Sequence, residues 1–127
     1  NLVNTMRFTR RLIPYLKKSG DGSAIVNIGS VSGTMTMSKA AAYGASKYGI
    51  RGFSNDLFED LREYGIKVSV IQPGMVNTPM IGDSAKLDRS KMIQVEDVSD
   101  SVMYVLQCKP TVCPVEITIR PQKSPYT

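Results

Sequence analysis

Three short runs rich in β-branched residues, Ala24-Ile25-Val26-Asn27-Ile28, Lys67-Val68-Ser69-Val70-Ile71-Gln72 and Val115-Glu116-Ile117-Thr118-Ile119-Arg120, each follow a stretch of helical periodicity. This alternation constrains the fold more than any other feature. Strands separated by a helix pair in parallel, and a parallel sheet needs helices over both faces. The expected class is therefore α/β, a three-layer αβα arrangement around a parallel sheet. The first helix is expected over residues 1–18, on the apolar repeat of Leu2, Met6, Leu12, Ile13 and Leu16. Ser19-Gly20-Asp21-Gly22 turns the chain into a strand over 24–28 that reads as buried on both faces. A second helix is expected over 39–64, ended by Gly65, and its Ala-, Gly- and Ser-rich start permits close approach of another backbone. A third helix, 96–108, opens with acidic residues that suit its positive end. Residues 78–91 read as a mobile loop or short helix, and the Pro-rich tail after Pro121 as loosely ordered.

The 127 residues suffice for one domain and not for two, with no internal linker or repeat, so 1–127 reads as a single unit. Histidine is absent, which removes Ser–His and Cys–His nucleophile pairs and His-based metal centres together. Cys108 and Cys113 match no zinc spacing and form no disulfide framework; no metal is expected, and a reducing, cytoplasmic setting is the default. The net charge of +5 is scattered, with Arg7, Arg10 and Arg11 read as a solvated helix face, so no nucleic-acid partner is expected. No apolar run is long enough to span a bilayer, and no membrane partner is expected. The chain begins at Asn1, without Met and within a helical pattern, which suggests that an amino-terminal part precedes it.

Acid–base chemistry is left to other residue types. Tyr43 and Lys47 stand four apart on the second predicted helix, on one face and a turn apart. An ordinary phenol ionises near pH ~10, and an ammonium beside it stabilises the phenolate. Alone, such a pair reads as an exposed surface contact. Its context adds Ser30, delivered by the first strand to the carboxyl edge of the sheet, where open parallel sheets place ligands. Ser30 alone reads as a turn or cap residue. Met35, Met37, Met75 and Met80 lie close to these positions in sequence and read as ordinary loop or core filling rather than a pocket wall.

Ile25-Val26-Asn27-Ile28-Gly29-Ser30, then Ala42-Tyr43-Gly44-Ala45-Ser46-Lys47, then Pro73-Gly74-Met75-Val76-Asn77-Thr78-Pro79-Met80, together with Asn1, resemble the short-chain dehydrogenase/reductase family over nearly the whole chain. The resemblance implies a Rossmann-like fold, incomplete because the amino-terminal βαβ half is absent, and the catalytic half of an NAD(P)-dependent alcohol dehydrogenase or carbonyl reductase. By the same resemblance Tyr43 is the general acid or base, Lys47 assists it and binds the nicotinamide ribose, and Ser30 orients the substrate oxygen. Asn1 would hold a water beside Lys47. Pro73, Gly74, Val76 and Thr78 would line the nicotinamide site. The family also implies a homodimer or homotetramer built on the first two helices and a small alcohol or carbonyl substrate. A segment from Pro79 to Lys91 would close over that substrate. The ending around Val115 to Pro121 looks like a branch of NADP-dependent reductases acting on hydroxy acids and small carbonyls, so NADP(H) is favoured over NAD(H).

The sequence departs from the family in one respect. The glycine-rich turn that holds the cofactor pyrophosphate, and the residue that reads the ribose 2′ position, are missing from it. The segment by itself is therefore expected to bind cofactor poorly and to be inactive. Two other readings stay open: a sugar-nucleotide epimerase or dehydratase of the extended branch, which shares the Tyr and Lys, and a binding or scaffold protein that kept the fold without turnover.

Overall fold

The computed structural model describes residues 2–82 and 84–127. Helix α1 (Leu2–Ser19) leads into β1 (Ala24–Ile28), a short 3-10 turn (Val31–Gly33), and helix α2 (Ala41–Leu61). A second 3-10 turn (Arg62–Tyr64), closed by Gly65, precedes β2 (Lys67–Pro73). A third 3-10 turn (Arg89–Lys91), helix α3 (Val95–Gln107) and β3 (Glu116–Ile119) complete the order. All three expected strands form, and they pair in parallel in the order β1-β2-β3. The registers run from Ala24↔Lys67 to Ile28↔Ile71 and from Val70↔Glu116 to Pro73↔Ile119.

Alternation along β2 assigns the layers. Val68 packs with Leu57, Leu61 and Ile66, against Ile13 and Leu16 of α1 and Ile25 of β1, so α1 and α2 cover this face. Lys67 points to the opposite face, where its ammonium donates to the carbonyls of Val105 and Cys108 at the carboxyl end of α3. A cation there meets the negative end of the helix dipole and two carbonyls at its last turn, of which Val105 O also accepts the Cys108 amide. At the other end, α3 is held by a capping box between Gln94 and Asp97. The Rossmann-like αβα arrangement is thus present in part, with three parallel strands.

β2 is buried along its whole length, each of its large apolar side chains contributing roughly 1.5–3 kcal/mol. The expectation for 24–28 fails: in β1 only Asn27 is buried, and Ile28 is 45% exposed. The reason is position. β1 lies at a sheet edge among the described residues, so a β-branched run that suits a central strand is covered on one side only. Asn27 is held from below by its amide donating to Ser54 of α2.

The tail also departs from expectation. Leu87 and Tyr126 form an antiparallel bridge, the Asp88 amide donates to Pro125 O at 2.8 Å, and the Thr127 amide donates to Lys86 O at 3.0 Å. The Pro-rich composition concealed a segment whose end is tied by backbone hydrogen bonds to Lys86 and Asp88.

Candidate active site

β1 ends at Ile28, and Gly29 carries the chain to Ser30 at the carboxyl edge of the sheet. Ser30 is buried, extended in backbone, and caps the turn that follows: its Oγ accepts the Ser32 amide at 3.1 Å. The turn then meets α2 at very short range. A Cβ built on Gly33 would lie 2.8 Å from the Lys47 carbonyl oxygen, a contact that real Cβ atoms do not make. Only a residue without a side chain lets this turn seat on the backbone of the helix that carries Tyr43 and Lys47. Nothing but the residue type marked Gly33 in the sequence, since its role depends on a contact fourteen positions away.

Lys47 reaches back toward β1. Its Nζ donates to Ile28 O at 3.2 Å and lies 5.7 Å from the centroid of the Tyr43 ring. Tyr43 is 40% exposed, and it shares with Ser30 the wall of a cavity of about 480 Å³. The helix, the strand end and the turn thus bring the three chemically interesting residues to one region. Asn1 lies outside the described residues.

The Pro73–Gly74 turn forms the opposite side. Gly74 lines the cavity, its amide donating to Ile119 O at 2.8 Å; Pro73, Val76 and Thr78 lie off the cavity wall. Val76 bridges Ile93 in parallel: Ile93 donates to Met75 O and Asn77 donates to Ile93 O. That pattern uses the groups on either side of Val76 and turns its own amide and carbonyl the other way. The Thr78 carbonyl is already engaged, accepting from the Ile81 amide and the Arg89 guanidinium. Arg89 also bonds Asn77 Oδ1, at 2.9 Å, so it staples the turn after Gly74. Sequence reasoning passed over Arg89, whose partners lie in a loop without periodicity.

All four methionines expected as filler line the cavity instead. Ser32 Oγ donates to Met37 Sδ at 3.0 Å, which fixes one of them. Their proximity in space arises from the folding of two separate loops against each other, which sequence distance does not report.

A second group that sequence reasoning missed is Glu116. It accepts from Arg51 at 2.9 Å, Asn55 at 2.6 Å and Gln72 at 3.1 Å, binding β3 to α2 across β2. Burial alone would raise its carboxyl pKa, but the Asn55, Arg51 and Gln72 donors and the Arg51 charge outweigh it and hold the value below the ordinary 4.5.

Residues 1–88 match the family described as short chain dehydrogenase. This chain belongs to that family. Among its relatives is an uncharacterised oxidoreductase of Staphylococcus epidermidis, 36% identical over 121 residues, which span 95% of this chain and 52% of the relative. Carbonyl reductase family member 4 of Xenopus laevis is 34% identical over 113 residues, spanning 84% of this chain and 48% of that protein. The chain thus spans about half the length of the curated relatives it matches. Among solved structures, the closed form of serine dehydrogenase complexed with NADP+ superposes with a TM-score of 0.72 at 29% identity, over 87% of this chain and 48% of that one. A short-chain type dehydrogenase/reductase from Mycobacterium ulcerans superposes with a TM-score of 0.83 at 22% identity, over 94% and 48%. Short-chain dehydrogenases bind a nicotinamide cofactor. Val76 fits its nicotinamide end in offering an outward-turned amide and carbonyl for a carboxamide, whereas the space that a side chain at Gly74 would fill is taken by Pro121 and Arg120.

Among the described residues no helix is long and apolar enough to cross a membrane.

Proposed function

We propose that this chain is the catalytic half of an NAD(P)-dependent oxidoreductase that interconverts an alcohol and a carbonyl compound, with Tyr43 moving the proton. The reading is carried by one observation: Ser30 and Tyr43 line one cavity while the Lys47 ammonium bridges the strand end and the Tyr43 ring. A bound nicotinamide cofactor supplies or accepts the hydride. The chain's own residues handle the oxygen. As negative charge builds there during carbonyl reduction, the Ser30 and Tyr43 hydroxyls donate to it, and Tyr43 releases its proton to form the alcohol. In the oxidation direction Tyr43 takes that proton.

Val76, Gly74, Pro73 and Thr78 would hold the nicotinamide, Lys47 the ribose hydroxyls, and Asn1 a water beside Lys47. NADP(H) is favoured over NAD(H) on the resemblance of the ending around Val115 to Pro121; the similar structures include complexes with NADP+ and with NADH. One of the similar structures is a serine dehydrogenase, and a small hydroxy acid is the substrate class that this suggests. A homodimer or homotetramer joined through α1 and α2 is proposed on the same footing; Val3, Phe8 and Tyr15 are apolar and exposed on α1.

The decisive variant is Tyr43→Phe in a protein that includes the glycine-rich pyrophosphate turn, assayed as cofactor-dependent carbonyl reduction with folding followed by circular dichroism. Turnover falls by about 10²–10⁴-fold with the spectrum unchanged. Unaltered turnover removes the mechanism and favours a scaffold that kept the fold.

A further inference from the structure

The proton-transfer reading leaves one group in the cavity unused. Arg120 stands one residue beyond β3, on the wall of the cavity that Ser30 and Tyr43 share. Its place is set by backbone contacts. The Gly74 amide donates to Ile119 O, and a Cβ on Gly74 would meet Pro121 Cδ at 3.1 Å and Arg120 Cα at 3.6 Å. The absence of a side chain at Gly74 thus draws Arg120 against the Pro-Gly turn.

Arg120 is exposed, and it also borders a neighbouring cavity lined by Lys91, Asp97 and Lys123. It makes no hydrogen bond or ion pair with a described residue, unlike Arg51, Arg62 and Arg89. Among the described residues lining the cavity it is the one charged group, and none is acidic. The rest of the wall is largely apolar, with Met35, Met75, Met80 and Ile81. A planar fork of donors beside an apolar wall matches a carboxylate carried on an aliphatic body. An apolar ligand without an anion would cover the guanidinium and give its donors nothing, at a desolvation cost.

We propose that Arg120 takes the carboxylate of an aliphatic hydroxy or oxo acid, so that the acid's other oxygen faces Ser30 and Tyr43. The methionine wall receives the aliphatic part, its unbranched thioethers adapting to side chains of different shape. Arg120 is then a specificity-determining residue. This inference rests on the assignment of Ser30 and Tyr43 as the groups meeting the reacting oxygen.

The probes are β-hydroxyvalerate and its methyl ester, titrated into a protein that includes the glycine-rich pyrophosphate turn, with binding read from the methyl NMR signals of Met75 and Met80. Arg120→Gln should weaken binding of the acid by about 10- to 100-fold, the loss of hydrogen bonds to a charged group. Arg120→Lys should fall between, keeping the charge and losing the fork. The ester should bind more weakly than the acid and be indifferent to both substitutions, and NADP+ affinity should not change. Equal binding of acid and ester, no binding of either, an acid affinity untouched by Arg120→Gln, or a loss confined to NADP+ each overturns the proposal. Tyr43→Phe separates the two readings. It should abolish turnover of β-hydroxyvalerate while leaving its binding intact; full turnover in Tyr43→Phe with binding still dependent on Arg120 sinks the proton-transfer reading alone.

Discussion

Replacing Gly33 by alanine perturbs the site without altering any side chain assigned to chemistry. The added Cβ would lie 2.8 Å from Lys47 O and 3.1 Å from Lys47 C, both backbone atoms of a helix that cannot yield as a side chain does. Ordinary contact begins near 3.4 Å, so the turn and α2 must part by about 0.6 Å. The methyl group would also come into ordinary contact, at 3.4 Å, with Gln72 Oε1, a fully buried oxygen with no partner among the described residues. Overpacking of this kind costs roughly 1–3 kcal/mol, read as a lower urea midpoint at unchanged m-value. The catalytic effect should be larger in proportion. The turn carries Ser30 and the helix carries Tyr43, so parting them widens the gap that one substrate oxygen must span. Misplacement near 1 Å can cost about 10²-fold, and a loss of about 10-fold or more in kcat is expected, with KM changed less. Stability and kcat both unchanged in Gly33→Ala would refute the claim that this contact sets the site's geometry.

Three other perturbations have defined outcomes. Glu116 has a folded-state pKa below its ordinary value, so its contribution to stability is full above that value and is lost as pH falls through the folded pKa; Glu116→Gln should flatten this acid limb of a stability-versus-pH curve. Lys67→Met leaves the carbonyls of Val105 and Cys108 without their cation and should destabilise the chain by about 1–3 kcal/mol in urea melts, with activity per folded molecule retained. The 127-residue segment by itself, which lacks the glycine-rich pyrophosphate turn, should show no tight NADPH binding by fluorescence titration. Tight binding would mean that the nicotinamide end suffices.

What was legible in the sequence follows from how far each signal travels along the chain. Strand and helix identities rest on local periodicity, and Val68, Val70 and Ile71 or Leu57 and Leu61 announce their faces within a few residues. That Ser30 falls at a strand end, and Tyr43 and Lys47 on one helical face, was legible because the spacing is itself local; their proposed roles came from the family resemblance. Burial of β1 was misread because an edge position depends on which strands stand beside it, a property that no window of five residues contains. Glu116, Arg89 and Lys67 escaped for the same reason. Their partners are 44 to 65, 8 to 12 and 38 to 41 residues away in sequence, and a lone charge in a strand or loop reads as solvated until the partner is seen. The methionine wall was misjudged because two loops, each unremarkable in composition, face the same space.

The central claim is that two hydroxyl groups act together on a single substrate oxygen. A double-mutant cycle on kcat/KM, comparing Ser30→Ala, Tyr43→Phe and the pair, tests it most directly. Joint action predicts that the double variant loses far less than the product of the single losses, since either removal already disables the shared oxygen site. Losses that multiply fully would place the two hydroxyls in independent roles and contradict the account.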